Sequence, residues 1–323
     1  MLSEFETAIL ETTGATKLAG REEIQSLWSG YGSIARYSLS GAATPSVVAK
    51  IVQAPNDSAH PRGWNTNLSH ARKLQSYQVE AAWYQDWSDQ CDDHCRIPHC
   101  LDTARHEDQS LIVLEDLDAA GYPLRKTAVN PDDVTACIDW LAHFHARFMG
   151  EAPEGLWPTG TYWHLETRPD ELEALDDAPL KNAAPIIDEI LKKARFQSFV
   201  HGDAKLANFC FSSGSRSVAA VDFQYVGGGC GMKDLAYFIG SCLDEAECER
   251  QEADLLDTYF VSLKSALEHY DCPHEFEPIE AEWRALFPVA WTDFHRFLKG
   301  WSPGHWKLNS YSERLARETI ERL

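Results

Sequence analysis

The run Phe199-Val200-His201-Gly202-Asp203-Ala204-Lys205-Leu206-Ala207-Asn208 crowds an acid, a cation and an amide into one short turn between apolar segments. A second acid follows in Ala220-Val221-Asp222-Phe223-Gln224. A lone carboxylate in such a turn reads as a capping or solvated group. Four such groups at these spacings match a known chemistry, the transfer of a phosphoryl group from ATP. In that chemistry Asp203 orients the attacking hydroxyl and accepts its proton. Asn208 and Asp222 hold Mg2+ through oxygen, the donor hard cations prefer. Lys205 offsets charge on the γ-phosphate, and His201 braces the loop.

The rest of the chain reads as two regions. The first third is rich in strand signals. Leu27 to Leu39 reads as two strands around a glycine-bearing turn, and Ser46-Val47-Val48-Ala49-Lys50-Ile51-Val52 as a β-branched strand between Pro45 and Pro55. Residues 54–67 are polar with two prolines and read as a loop. A helix is expected from about His70 to Trp87, then a strand over Ser110–Leu117. Beyond that, helices dominate. Asn130-Pro131-Asp132-Asp133 is a helix start, with a capping Asn and carboxylates at the positive end of the dipole. Further helices fit 184–195, 234–248, 252–269 and most of the last forty residues. Asp234 reads as an N-cap that also braces the catalytic loop, and Gly227-Gly228-Gly229 as a flexible connection. The division predicts an α+β fold of two lobes, an antiparallel-sheet lobe over 1–117 and a mainly helical lobe over 118–323.

Strand alternation puts Lys50 on the face of Val48 and Val52, where an unpaired ammonium would be costly unless it snorkelled to water. Glu80 lies on the helix stripe of Tyr77, Ala81 and Tyr84, an equally poor place for a lone charge. Each needs the other, and a Lys–Glu pair between a strand and the following helix orients ATP phosphates in kinases. Gly30-Tyr31-Gly32-Ser33 would be the turn whose backbone N–H groups approach phosphate, with Gly30, Gly32 and Ser33 in contact. Glu115-Asp116-Leu117 would be the hinge, with backbone groups of Glu115 and Leu117 bonding adenine.

Taken together, these residues resemble the kinase-like small-molecule phosphotransferases: aminoglycoside phosphotransferases, choline kinases and, most of all, the ecdysteroid-kinase-like group. The resemblance rests on Leu114-Glu115-Asp116-Leu117, His201-Gly202-Asp203, Val221-Asp222-Phe223-Gln224 and Asp234-Leu235-Ala236-Tyr237-Phe238. It implies a two-lobed protein-kinase-like fold, with ATP and Mg2+ in the cleft and a hydroxylated small molecule on the helical lobe. Ala204-Lys205 departs from the aromatic residue that this group usually carries after the Asp. Two other readings keep the fold. A catalytically inactive binding module would have lost Asp203, Asn208 or Asp222, and none is lost. A protein kinase would carry an Ala-Pro-Glu motif after Asp222, and Gln224 stands where its mobile segment begins with glycine.

Composition narrows the partners. With 29 basic against 50 acidic residues the net charge is −21, a field that repels nucleic acid and anionic membrane and attracts a cationic acceptor. Trp283, Trp291, Trp301 and Trp306, with Asp293 and His305, read either as core or as an aromatic acceptor pocket suited to an ammonium. No apolar run reaches membrane-spanning length, and the start lacks a secretory signal, so the cytosol is the expected compartment. Nine scattered cysteines fit reduced thiols. The Cys91–Cys100 cluster has zinc-like composition, but its spacing matches no usual paired pattern.

Overall fold

The computed structural model describes residues 3–27, 30–53, 67–106, 109–214 and 216–323. The expected loop over 54–67 falls outside these except for Asn67. Five antiparallel strands form the front sheet: β1 (Lys17–Ser26), β2 (Gly32–Ser40), β3 (Ser46–Gln53), β4 (Cys100–His106) and β5 (Gln109–Glu115). Their spatial order is β1-β2-β3-β5-β4. Helix α1 (Glu4–Thr13) covers one face. It starts with a Ser3–Glu6 capping box and ends at Gly14 in the left-handed region. Phe5 and Ile9 pack there against Tyr37, Val47, Ala49 and Val113. The opposite face of β3, carrying Lys50, turns toward helix α2 (Asn67–Ala82), which runs on through a π turn at Trp83–Trp87.

Several of the expected boundaries move; the helix expected over 234–248, for one, ends at Cys242, and the next starts at Glu245. The two strands expected within 27–39 are one, β2; its partner β1 lies earlier. β1 is mostly polar and exposed, so it lacks the apolar alternation that marks a strand. The segment Gly227–Gly229 is not a flexible connection but strand β9, paired with β6 (Ser198–Val200). A Cβ on Gly227 would stand 2.1 Å from the Trp157 carbonyl oxygen, so close backbone approach is why glycine is there.

The back of the chain is helical: α3 (Pro131–Arg147), α4 (Pro169–Glu173), α5 (Ala178–Lys192), α6 (Met232–Cys242), α7 (Glu245–His269), α8 (Phe276–Trp301) and α9 (Ser310–Glu321). The Asn130–Asp133 box starts α3 as expected. Strands β6, β7 (Phe209–Phe211), β8 (Val218–Ala220) and β9 form two small antiparallel pairs at its edge toward the sheet. Their loops carry the charged residues of the opening motif. The main core joins α3, α6, α7 and α8 and reaches across to Trp83, Ile112 and Leu114. The architecture is thus a bilobal kinase-like fold, an antiparallel-sheet lobe on a mainly helical one. Among the described residues no helix is long and apolar enough to cross a membrane.

Candidate active site

The loop between β6 and β7 is rigid because its backbone is held from outside. Asp234, fully buried on α6, accepts from the Gly202 N–H at 2.9 Å and from the His201 N–H. Its other neighbour is His145 Nε2 at 3.3 Å. Helix α6 begins two residues earlier, with Gly231 at the cap, so Asp234 is not the N-cap that local pattern suggested. Its bracing of the loop was legible; its position in the helix was not. His201 adds a second tie, donating from Nε2 to the Val221 carbonyl at 3.0 Å and accepting the Asp203 N–H on Nδ1 at 3.2 Å.

This frame presents one carboxylate with unequal oxygens. Asp203 Oδ2 accepts from Lys205 Nζ at 2.7 Å and Asn208 Nδ2 at 3.2 Å. Oδ1 is buried and has no hydrogen bond of ordinary geometry, but the Tyr237 hydroxyl is close enough to the carboxylate to hydrogen-bond to it weakly. Burial pushes the Asp203 carboxyl up, against the pull of Lys205. Asn208 donates again to the Asp203 carbonyl at 2.9 Å, which turns its amide nitrogen inward.

Across the cleft, Lys50 Nζ lies 2.5 Å from Glu80 Oε2 and 3.5 Å from Asp222 Oδ1. Lys50 is 4% exposed and Glu80 2%, so the pair is buried and water does not screen it. Burial would lower the Lys50 pKa, but Glu80 and Asp222 outweigh it and hold the ammonium charged. Asp222 sits at φ +71°, a left-handed conformation uncommon for a residue with a side chain. Burial would raise its carboxyl; Lys50, Lys205 and Lys73 win and lower it. Gln224 Nε2 donates to its Oδ1 at 2.6 Å.

Other expected residues take up local duties. Gly30 and Gly32 both have positive φ in the β1–β2 turn, and a Cβ on Gly32 would lie 2.0 Å from the Ile51 carbonyl oxygen. Ser33 Oγ accepts from Arg21 at 3.2 Å. Tyr31 between the glycines folds inward, its hydroxyl 2.5 Å from His70 Nδ1, against Leu27, Val52 and Tyr77. Glu115 turns its side chain away to Arg96 and the His99 N–H, and its own N–H goes to the His99 carbonyl. Leu117 offers its carbonyl to Tyr122 N–H at 2.8 Å. Between them Asp116 is buried, binding Arg36 at 2.7 Å and Ser46 Oγ at 2.6 Å, which ties the chain's exit from the sheet to β2 and β3.

Of the tryptophans, Trp283 and Trp291 are buried, Trp301 stacks on Phe297, and Trp306 is 59% exposed. Asp293 is engaged by Trp163 Nε1 at 3.1 Å and Arg296 at 2.8 Å. A small cavity between α6, α8 and α9 is lined by Trp291, Phe294, His295, Trp306 and Lys307. Lys307, unmarked by sequence pattern, holds its ammonium over the rings of Tyr237 at 4.8 Å, Phe294 at 5.5 Å and Trp306 at 5.7 Å. The chain's own cation thus occupies the rings an ammonium ligand would use. Cys91, Cys95 and Cys100 are free thiols, and among the described residues no group of three or more His, Cys, Asp or Glu is arranged around a metal.

Fold and site together define a bilobal kinase-like protein. A solved ethanolamine kinase from Plasmodium vivax superposes with a TM-score of 0.52 at 12% identity, covering 98% of this chain and 87% of that one. The GDP complex of aminoglycoside 2'-phosphotransferase-IIIa superposes with a TM-score of 0.50 at 11% identity, covering 98% of each. At such identities the likeness is one of fold. No curated protein matches the sequence significantly. The ecdysteroid kinase-like family model matches residues 67–150 and 160–272, more than half of the chain, and the chain belongs to that family.

Proposed function

We propose that this protein transfers the γ-phosphate of ATP, with Mg2+, to a hydroxyl of a small molecule. The observation that carries the reading is the asymmetry of Asp203: one oxygen is tied to Lys205 and Asn208, while the other is buried with no hydrogen bond of ordinary geometry and the Tyr237 hydroxyl near the carboxylate. A buried oxygen without a well-formed hydrogen bond is costly, and an incoming hydroxyl would supply one. Asp203 would orient the acceptor O–H and take its proton as the oxygen–phosphorus bond forms. Membership of the family supports the same class of reaction.

Asp222 and the amide oxygen of Asn208 fit magnesium, which takes few protein oxygens and completes its shell with water and phosphate. When bound, the ion would neutralise charge on the phosphates. Lys50, kept charged by Glu80, would orient the phosphates, and Lys205 would face the migrating group. Gly30, Gly32 and Ser33 would close over the nucleotide, with the backbone of Glu115 and Leu117 against adenine. Residues 1–117 would form the nucleotide lobe and 118–323 the catalytic and acceptor lobe. A cationic acceptor would have to displace Lys307 from the rings of Tyr237, Phe294 and Trp306. The net charge of −21 disfavours nucleic-acid and anionic-membrane partners, and the cytosol is the compartment we propose.

The test is transfer of labelled γ-phosphate to acceptors in a metabolite extract, comparing wild type with Asp203→Asn. The variant should still bind Mg-ATP while product formation falls by roughly 10²- to 10⁴-fold. Equal product from both proteins would refute the role of Asp203.

A further inference from the structure

Three ammonium groups approach the cleft, and two are matched by carboxylates: Lys50 by Glu80 and Asp222, Lys205 by Asp203. The third, Lys73, is not. Its Nζ lies 3.1 Å from the Gln224 amide oxygen and 4.7 Å from the centre of the Tyr77 ring. Among the described residues no carboxylate stands within ion-pair distance of it. Lys73, Tyr77 and Glu80 follow at i, i+4 and i+7 on α2, so one helical stripe carries all three toward the cleft. Lys50 reaches the same Tyr77 ring, at 5.6 Å, from the sheet side. Two ammonium groups thus flank one phenol, and only Lys50 has a carboxylate within ion-pair distance; Lys73 feels Asp222, Glu80 and Asp203 from further off.

A half-buried ammonium whose nearest partners, Gln224 and the Tyr77 ring, are neutral is held at a cost that an anion in direct contact would relieve. The partner it has is informative. Gln224 accepts Lys73 on its oxygen while donating from its nitrogen to Asp222. One amide therefore links the unmatched cation to the carboxylate assigned to magnesium. The structure assigns Lys73, we infer, to the polyphosphate of the nucleotide: a second cation beside Lys50 that exchanges the Gln224 carbonyl for a phosphate oxygen. The inference rests on the kinase reading above and adds a residue to it.

Binding separates the two. Calorimetric titration with Mg-ATP, Mg-ADP and adenosine would be run on wild type, Lys73→Met and Lys73→Arg, with thermal unfolding as the check on folding. Lys73→Met should lose roughly tenfold to a hundredfold in Mg-ATP affinity. Adenosine binding should be unchanged, and Lys73→Arg should recover most of the loss. In unmutated protein, acetylation of Lys73 read by mass spectrometry should be slowed by Mg-ATP and not by adenosine. Unchanged Mg-ATP affinity in Lys73→Met, an equal loss for adenosine, or absent protection by Mg-ATP would each overturn the assignment. Failure of wild type to bind any of the nucleotides would instead overturn the kinase reading itself.

Discussion

The Lys50–Glu80 pair gives the sharpest quantitative test of why the site is built as it is. The two charges meet at 2.5 Å with almost no exposure, so each alone would be an uncompensated charge in a dry interior. Breaking such a pair from one side costs about 3–5 kcal/mol, whereas replacing both members by apolar residues of similar volume is often neutral. The two single changes are not equivalent here. Lys50→Met leaves Glu80 with no other hydrogen-bond donor among the described residues and also takes a cation from Asp222, so the upper part of that range is expected. Glu80→Leu leaves Lys50 with Asp222 at 3.5 Å, so the lower part is expected. The double variant should recover most of the combined loss, giving a coupling of at least about 2 kcal/mol in a double-mutant cycle. Urea unfolding of the four proteins at pH 7 measures it. Phosphoryl transfer should stay lost in the stable double variant, because the phosphate-placing role proposed for Lys50 needs its charge and not the fold. If the double variant is as unstable as the sum of the singles, the two charges do not depend on one another and the argument fails.

Two further outcomes follow from the loop and from the acceptor lobe. Gly202 sits at φ +78°, and a Cβ there would meet the Tyr225 carbonyl oxygen at 2.1 Å. Gly202→Ala should therefore lower stability by more than about 2 kcal/mol and abolish transfer; a variant with a wild-type urea midpoint would contradict the geometry. His295 is buried on α8, and burial, against the pull of Glu313, lowers its pKa from 6.5 to about 4. The unfolded chain then binds more protons between those values, so stability should fall as pH drops from 6.5 to 4, by about 3 kcal/mol in full. Asp188, held down to about 2 by His164 and Lys192 against burial, acts only at lower pH. Urea midpoints at pH 7 and 4.5 should differ less in His295→Gln than in wild type, and an unchanged difference would exclude His295 as the cause.

What the sequence disclosed depended on how local the signal was. Asp203, Lys205 and Asn208 lie within one turn, and the turn's hydrogen bonds close on itself, so spacing alone carried the arrangement. Lys50 and Glu80 are distant in the chain, but each is a charge on an apolar stripe, and that local misfit announced a partner. Lys73 and Lys307 carried no such mark. Their significance comes from what does not pair with them and from rings brought up by other elements, Tyr77 in one case and Tyr237, Phe294 and Trp306 in the other. Helix α1 was missed although Ser3 and Glu6 spell a capping box, because the expectation for the front was of strands. For Asp234 the helical spacing of the residues after it suggested a cap. Only its burial against the His201 and Gly202 amides shows that it serves the loop from inside the first turn.

The strained Asp222 explains how these parts depend on one another. A left-handed aspartate costs of order 1–3 kcal/mol and persists only where its neighbours over-determine it. Here they do. Phe223 is fully buried, stacked on Trp83 at 4.7 Å and against His201 at 4.6 Å. The Gln224 carbonyl accepts from Trp157 Nε1 at 2.8 Å, and its side chain meets Lys73 and Ser76. The strained residue is therefore held between the catalytic loop, through His201, and α2, through Trp83, Ser76 and Lys73. The same helix carries Glu80, the counter-charge of Lys50. A displacement of α2 would thus loosen Asp222, Lys50 and Glu80 together, the carboxylate proposed for magnesium and the lysine proposed for phosphate among them. The geometry of this one helix sets whether the site is assembled, and neither lobe alone could hold it.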